Sequence, residues 1–322
     1  MPASALAERP PSSTPLKVLY VMGAGRSGST ILGVALGNCD GVFFAGELDK
    51  WLARRGVPRR KDAARARFWE AVLARMDGAE DLFGHDAQRC LERSSALFRI
   101  RDWPTRRWLR ERYRPVSRDL YEAIADVAGT RSIVDTSHYP LRARELQGVD
   151  GIELHLVLLV RDPRSVVASF ARRDVDERGF GTLTTNAYLW LTYLLSLVVF
   201  LRHRRDRRLF VRYEQLVEDP HAVLEQILAL IDCSATVPDL TALRTGVPFH
   251  GNRLLGTSEI AMSGRAGPAE GRSRRARVTA ALQLPLALVF ARLRPAVSTL
   301  SPAGQARRPG ETVTRTPVSP GR

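Results

Sequence analysis

The sequence predicts an α/β fold built on a parallel sheet, and three observations predict it. Short, nearly continuous apolar runs of strand length recur along the chain. The first of them, "KVLYVMG" (17–23), ends in a glycine loop, and helical segments follow the later ones. Continuous apolar runs suit strands covered on both faces. Strands that alternate with helices are the pattern of the α/β class.

Each element follows in chain order. After "KVLYVMG", the stretch "STILGVALGN" has helical content and stops at Gly37-Asn38, a C-terminal cap. The Asp40-Gly41 turn leads into "VFFAGEL", a second short strand with Glu47 just past its end. Residues 61 to 127 are rich in Arg, Ala and Leu at helical spacing, broken near Asp77-Gly78 and Trp103-Pro104. "RSIVDTS" (131–137) is a third strand, "ELHLVLLVRDP" (153–163) a fourth and "RRLFVRYEQL" (207–216) a fifth. Helices are expected from Pro163 to about Arg173 and from Pro220 to about Ile231, and no internal repeat is visible.

A chain of 322 residues, 44% hydrophobic and 26% charged, builds one large or two small domains with a substantial core. The net charge of +15 is unusual, and it comes from arginine: among 49 basic residues only Lys17, Lys50 and Lys61 are lysines. GC-rich coding inflates Arg and Ala together; the functional reading is attraction to polyanionic ligands or an acidic membrane surface. No zinc spacing, heptad-linked basic region or aromatic RNA-binding signature appears, so no nucleic-acid partner is expected. Three scattered cysteines (Cys39, Cys90, Cys233) make neither a disulfide framework nor a metal site. They fit a reducing cytosol, and a cytoplasmic location, with peripheral membrane contact as an option, is the expectation. The start, "MPASALAERPPSSTP", has no apolar core and reads as a tail over 1–15; the Pro-, Gly-, Ser- and Thr-rich end reads as another over 296–322. "AYLWLTYLLSLVVFL" (187–201), followed by "RHRRDRR", is the most apolar stretch. It falls short of the roughly 20 residues that span a bilayer and contains Thr192 and Ser196. It reads as a buried helix, or as a membrane-docked one with an arginine collar.

The glycine loop carries the first chemical signal. In "VMGAGRSGST" (21–30), Gly23, four residues and Gly28 fit the opening of G-x-x-x-x-G-K-[ST], yet Ser29 and Thr30 follow where the lysine should stand. Strand, glycine-rich turn and helix make a ring of backbone N–H groups at a helix N-terminus, which binds anions. A phosphate-like group is therefore expected at Gly23, Gly25, Arg26, Ser27, Gly28, Ser29 and Thr30. Arg26 supplies charge in a planar fork suited to tetrahedral oxyanions. The second signal is "LVLLVRDPRSVVASF". Asp162 is a good N-cap and Pro163 a good first helical residue, which leaves Arg161 at the strand's carboxyl end. Ser169 lies roughly 10 Å along the helix. Both meet one ligand if it lies beside the helix; otherwise Arg161 forms a surface salt bridge with Asp162 or a neighbour.

Together the two sites resemble the sulfotransferases that use 3′-phosphoadenosine-5′-phosphosulfate (PAPS). In that family a G-x-x-[KR]-[ST]-G-[ST]-[ST] loop holds the 5′-phosphosulfate, matched by Gly23, Arg26, Ser27, Gly28, Ser29 and Thr30. A strand-ending Arg with a Ser eight residues on holds the 3′-phosphate, matched by Arg161 and Ser169. A loop that holds a phosphosulfate needs no triphosphate lysine. "FFAGELDKWLARRG" is similar to the segment that places a glutamate, here Glu47, beside the transferred group. "VDTSHYPLRA" resembles a "DSSK-x-x-x-RA" stretch, with His138 where lysine is usual. "VRYEQLVEDP" resembles "RYEDL-x-x-DP", whose Tyr, here Tyr213, packs near the nucleotide. "HGNRL" (250–254) resembles a Gly-Asn motif before a basic residue, here Arg253, that contacts the 3′-phosphate. The similarity covers about residues 16 to 295 and weakens after Gly256, where Arg265 is a looser match.

The resemblance implies a P-loop-like three-layer α/β/α domain over 16–295, with a helical insertion at about 50–128 that faces the acceptor. It implies an enzyme that transfers a sulfuryl group in line from PAPS to a hydroxyl or amine, without a metal. The acceptor class, whether small molecule, carbohydrate or lipid, is left open, as is the oligomeric state. If the strand before Glu47 neighbours the first strand, Glu47 reaches the carboxyl edge where α/β sheets bind ligands. A carboxylate in a partly desolvated cleft has a raised pKa suited to a general base. His138 is the alternative base, or binds the acceptor in place of the usual lysine. Two rivals stand beside this reading. One is a P-loop kinase or NTPase with a degenerate lysine, its magnesium held by Thr30 and Asp135. The other is a non-catalytic, membrane-associated relative.

Overall fold

Five strands form one parallel sheet: β1 (Leu16–Gly23), β2 (Val42–Gly46), β3 (Ser132–His138), β4 (Ile152–Val160) and β5 (Arg208–Arg212). The computed structural model describes residues 15–60, 62–76, 79–83, 87–170, 181–262 and 274–293. The expected tails beyond Pro15 and Leu293, the helix past Phe170, and Arg265 lie outside the described residues. The strand order is β2-β3-β1-β4-β5, so β1 lies between β3 and β4. The chain moves to one side of β1 for β2 and β3 and to the other for β4 and β5. The carboxyl ends of β1 and β4 therefore flank a topological switch point, the crevice where open α/β sheets bind ligands.

The two cores show why the strands are apolar throughout. Leu16, Val18, Tyr20 and Met22 of β1 join one core, while Leu19 and Val21 join the other. Helices cover both faces, which gives three layers. On one side lie α1 (Ser29–Leu36) and, further along the chain, α8 (Pro220–Leu230). On the other lie α3 (Trp103–Ala128), α4 (Pro140–Leu146), α6 (Thr182–Arg202) and α9 (Arg274–Arg292). The remaining helices are α2 (Ala63–Leu73), α5 (Pro163–Phe170) and α7 (Tyr213–Glu218). The segment between β2 and β3 contains α2, α3 and short helical turns, as expected of the insertion.

Sequence and structure differ at several points. The fifth strand stops at Arg212, because its pairing ends at Val160↔Arg212, where β4 itself ends, and Tyr213 then starts α7. The break expected near Trp103-Pro104 is a boundary between helices: a short helical turn ends at Asp102 and α3 starts at Trp103, with proline accommodated in its first turn. The apolar stretch is part of a 21-residue helix, long enough by itself to cross a bilayer, but Leu189, Tyr193, Val199 and Phe200 pack it into the core. β2 is separated from β1 by β3, so the adjacency assumed for Glu47 does not occur.

A buried charge cluster joins the insertion to the sheet. The Arg142 guanidinium lies 2.6 Å from Glu92 and 3.2 Å from Asp135, and all three are almost fully buried. Tyr121 donates to Asp135 at 2.7 Å, and Tyr113 donates to Glu92. Glu92 lies in the insertion, Asp135 on β3 and Arg142 on α4. Burial pushes the Glu92 carboxyl up to about 7, against the pull of Arg142. Removing the cation leaves two carboxylates buried without it. Arg142→Met should cost about 3–5 kcal/mol in urea-unfolding stability; a loss below about 1 kcal/mol would contradict the assigned role.

Candidate active site

The site grows from the turn after β1. Gly23 has φ +149, and a Cβ there would stand 2.3 Å from the Leu159 carbonyl oxygen of β4, so only glycine permits this strand contact. Gly23 thus belongs to the sheet and is not a cavity residue. Past it the chain turns through Arg26 at φ 70 and Gly28 at φ 97, both left-handed. A Cβ on Gly28 would stand 2.4 Å from the Tyr213 ring. Gly28 is the N-cap of α1 and no side chain caps that end. The positive helix terminus at this loop therefore carries no side-chain cap.

A cavity of about 550 Å³ lies against this terminus. Gly25, Arg26, Gly28, Ser29 and Thr30 of the loop line it, together with Glu47, His138, Arg161, Ser169, Tyr213 and Arg253. Of the residues expected from sequence, Gly23 and Ser27 do not line it, and Ser27 is buried beneath the loop. The two separate motifs meet directly. Arg26 Nε donates to Ser169 Oγ at 3.3 Å, and Arg161 Nη1 donates to the Arg26 carbonyl at 3.2 Å. The Arg161 guanidinium also lies 4.4 Å from the centre of the Tyr213 ring. Asp162 pairs with Arg164 at 2.5 Å instead, so the surface salt bridge from Arg161 to Asp162 is not what forms.

Glu47 enters the same cavity from the end of β2. Parallel strands put all their carboxyl ends on one edge, so β2 reaches the cavity from across β3. Glu47 Oε2 lies 2.8 Å from His250 Nδ1. The backbone fixes this pair: Glu47 N donates to the His250 carbonyl at 2.9 Å, and Phe249 N donates to the Ala45 carbonyl at 2.8 Å. The expected raised pKa is not found. Burial pushes the Glu47 carboxyl up, but the His250 hydrogen bond and the charges of His138, His250 and Lys50 together hold it below its ordinary value. His138 stands at φ 58, a left-handed conformation uncommon for a side-chain-bearing residue, and lines the cavity opposite Gly25.

Sequence reading missed His250, which lies 203 residues from its partner. It also missed Tyr188, which accepts from Gly25 N at 3.1 Å and lines the cavity with Phe170, Thr184 and Thr185. The only signal for Tyr188 was a hydroxyl within an apolar helix. Asp135, the second magnesium ligand of the kinase alternative, is buried and committed to Arg142, Tyr121 and Ser137. Among the described residues no group of His, Cys, Asp and Glu is arranged to hold a metal ion.

Comparison with known proteins follows this geometry. Residues 153–237, which contain Arg161, Ser169 and Tyr213, match the model of the sulfotransferase family. The sulfotransferase domain of the Synechococcus PCC 7002 olefin synthase has the same fold, with a TM-score of 0.50 at 19% identity, over 89% of this chain and 99% of that one. The sulfotransferase domain from the curacin biosynthetic pathway aligns with a TM-score of 0.49 at 17% identity, over 85% and 99%. No curated protein matches the chain.

The Glu47–His250 pair makes a testable electrostatic statement. Because the folded value is depressed, the pair's stabilisation is present above the ordinary carboxylate range and is lost as pH falls through the folded value. His250→Ala removes the hydrogen bond and the nearest charge, leaving burial opposed only by His138 and Lys50. The Glu47 titration midpoint, followed by carboxyl-carbon NMR and assigned with Glu47→Gln, should rise. An unchanged midpoint would contradict this cause.

Proposed function

We propose that this chain, assigned to the sulfotransferase family by the match over residues 153–237 and carrying the fold of a sulfotransferase domain, transfers a sulfuryl group from PAPS to a hydroxyl or amine of its acceptor. One observation carries the reading. An uncapped helix N-terminus, Arg26, Arg161 and Ser169 line one cavity together with a carboxylate–imidazole pair.

The residues present fit such a donor. The cavity offers guanidinium groups, hydroxyls and the positive end of a helix to a ligand with several anionic groups. The bound donor supplies the activated sulfuryl group. Gly25 to Thr30 bind the phosphosulfate, and Arg26 stabilises its charge with a donor pre-oriented by Ser169 and held in a partly enclosed site. Arg161, seated on Tyr213, and Ser169 bind the 3′-phosphate, with Arg253 beside them. Glu47 accepts the acceptor's proton at its carboxylate, and His250 keeps that carboxylate ionised and fixed in direction. His138 faces the same space and contacts the acceptor. The depressed Glu47 pKa makes a weaker base than a raised one, but one that is ionised throughout the neutral range. The kinase alternative is disfavoured by Ser29 in the lysine position and by the buried commitments of Asp135.

Calorimetry tests the nucleotide assignment. Adenosine 3′,5′-bisphosphate should bind about 10- to 150-fold more tightly than AMP, the value of one charge-assisted contact. Arg161→Ala should erase the difference, and equal affinities in the unaltered protein would contradict the reading. Glu47→Gln should leave bisphosphate affinity within a few-fold while transfer of label from PAPS falls by about 10²–10⁴. If Glu47→Gln transfers normally and His138→Ala does not, the base is His138.

A further inference from the structure

Helix α9 has an apolar surface with nothing in the described structure to cover it. Residues 278–291, "VTAALQLPLALVFA", contain no charged side chain. A single stripe of this helix faces the protein: Ala276, Thr279, Gln283, Leu286 and Phe290, at spacings of three and four. The remaining sides are apolar too, and Leu284 and Leu288 are each 55% exposed, with Val278, Leu282 and Val289 also exposed. A helix that is apolar all round belongs in a core or against lipid, and this one is covered on one stripe only.

Helix α6 extends the surface. It runs beside α9 in the same direction: Asn186 contacts Thr279 and Gln283, Trp190 Nε1 donates to the Leu282 carbonyl at 2.7 Å, and Tyr193 packs edge-on against Phe290. On the side of α6 turned from the core, Leu194, Val198 and Leu201 are exposed. Neither helix contains an acidic residue. Exposed arginines stand at both ends of the patch: Arg274, Arg275 and Arg277 at one, and Arg202 and Arg292 at the other.

We infer that the outward sides of α6 and α9 form a docking surface for an anionic lipid bilayer, lying on the membrane rather than crossing it. The charge-free stretch of α9 is about 20 Å long, short of the roughly 30 Å hydrocarbon core. Apolar side chains between basic ends, with no acidic residue on either helix, are what an interfacial helix requires. Residues 294–322, which follow α9, include only Val297, Leu300, Val313 and Val318 as larger apolar side chains. None of the exposed residues lines the catalytic cavity, and Leu284 alone of them lines the neighbouring one, which it shares with Arg161, Asp162 and Glu214.

Vesicle co-sedimentation of the full chain tests it. The protein should pellet with phosphatidylcholine vesicles containing about a third phosphatidylglycerol and do so at least tenfold less with phosphatidylcholine alone. Leu282→Glu with Leu288→Glu, both exposed and outside the cavities, should reduce pelleting at least tenfold while the thermal midpoint and bisphosphate affinity hold. Absence of binding to the anionic vesicles, or binding that the double variant leaves intact, overturns the inference. Light scattering supplies the last arm: a dimer that the double variant dissociates, with no vesicle binding, assigns the surface to a second copy of this chain instead.

Discussion

The close approach of β1 and β4 at Gly23 is the constraint on which the site depends. The Leu159 carbonyl occupies the space of a side chain, so the two strands run side by side to their ends. Their following loops then leave the sheet at adjacent points, and Arg161 comes within hydrogen-bond reach of Arg26 although 135 residues separate them. The same geometry places the left-handed turn at Gly28 over Tyr213 and leaves the terminus of α1 without a side-chain cap. In globular proteins such termini are ordinarily satisfied by caps, water or ligands. Here the loop, the second arginine and the serine of α5 all face one cavity, and that convergence, rather than any single motif, gives the site its positive, donor-rich lining.

Behind the cavity wall, polar contacts hold Glu47 and its surroundings in position. Ser137 Oγ accepts from Asp49 N at 3.0 Å, and Asp135 accepts from Ser137 N at 2.9 Å, which links the turn after Glu47 to β3. Arg142 then links β3 to the insertion through Glu92. The turn bearing Glu47 and the strand end bearing His138 are therefore braced by the same buried cluster. Such a cluster is costly to desolvate and costly to break, and it holds the cavity wall that carries Glu47 and His138.

Much of this was legible in the sequence, and the parts that were not share a cause. All five strands were readable because each is an apolar run bounded by a loop signal. The glycine loop was readable because its glycines and hydroxyls are contiguous, and Arg161 with Ser169 because their spacing resembles a family motif. His250 and Tyr188 were not readable. Their roles come from long-range placement, and a histidine or a tyrosine in isolation carries no such information. The sign of the Glu47 shift was misjudged for the same reason: burial alone raises a carboxyl, and the imidazole that reverses it comes from 203 residues away. The apolar stretch was read as shorter than the helix it forms, because Thr182 to Asn186 are mostly polar yet continue the turn of α6.

The most direct test is a crystal structure with adenosine 3′,5′-bisphosphate bound. The account predicts the 5′-phosphate at the amide groups of Arg26 to Thr30, within hydrogen-bond distance of the Arg26 side chain, and the 3′-phosphate between Arg161 and Ser169. Glu47 should remain paired with His250 and open to the space beyond the 5′-phosphate. A nucleotide bound with its 3′-phosphate away from Arg161 and Ser169, or with the loop amides uncontacted, would contradict the account.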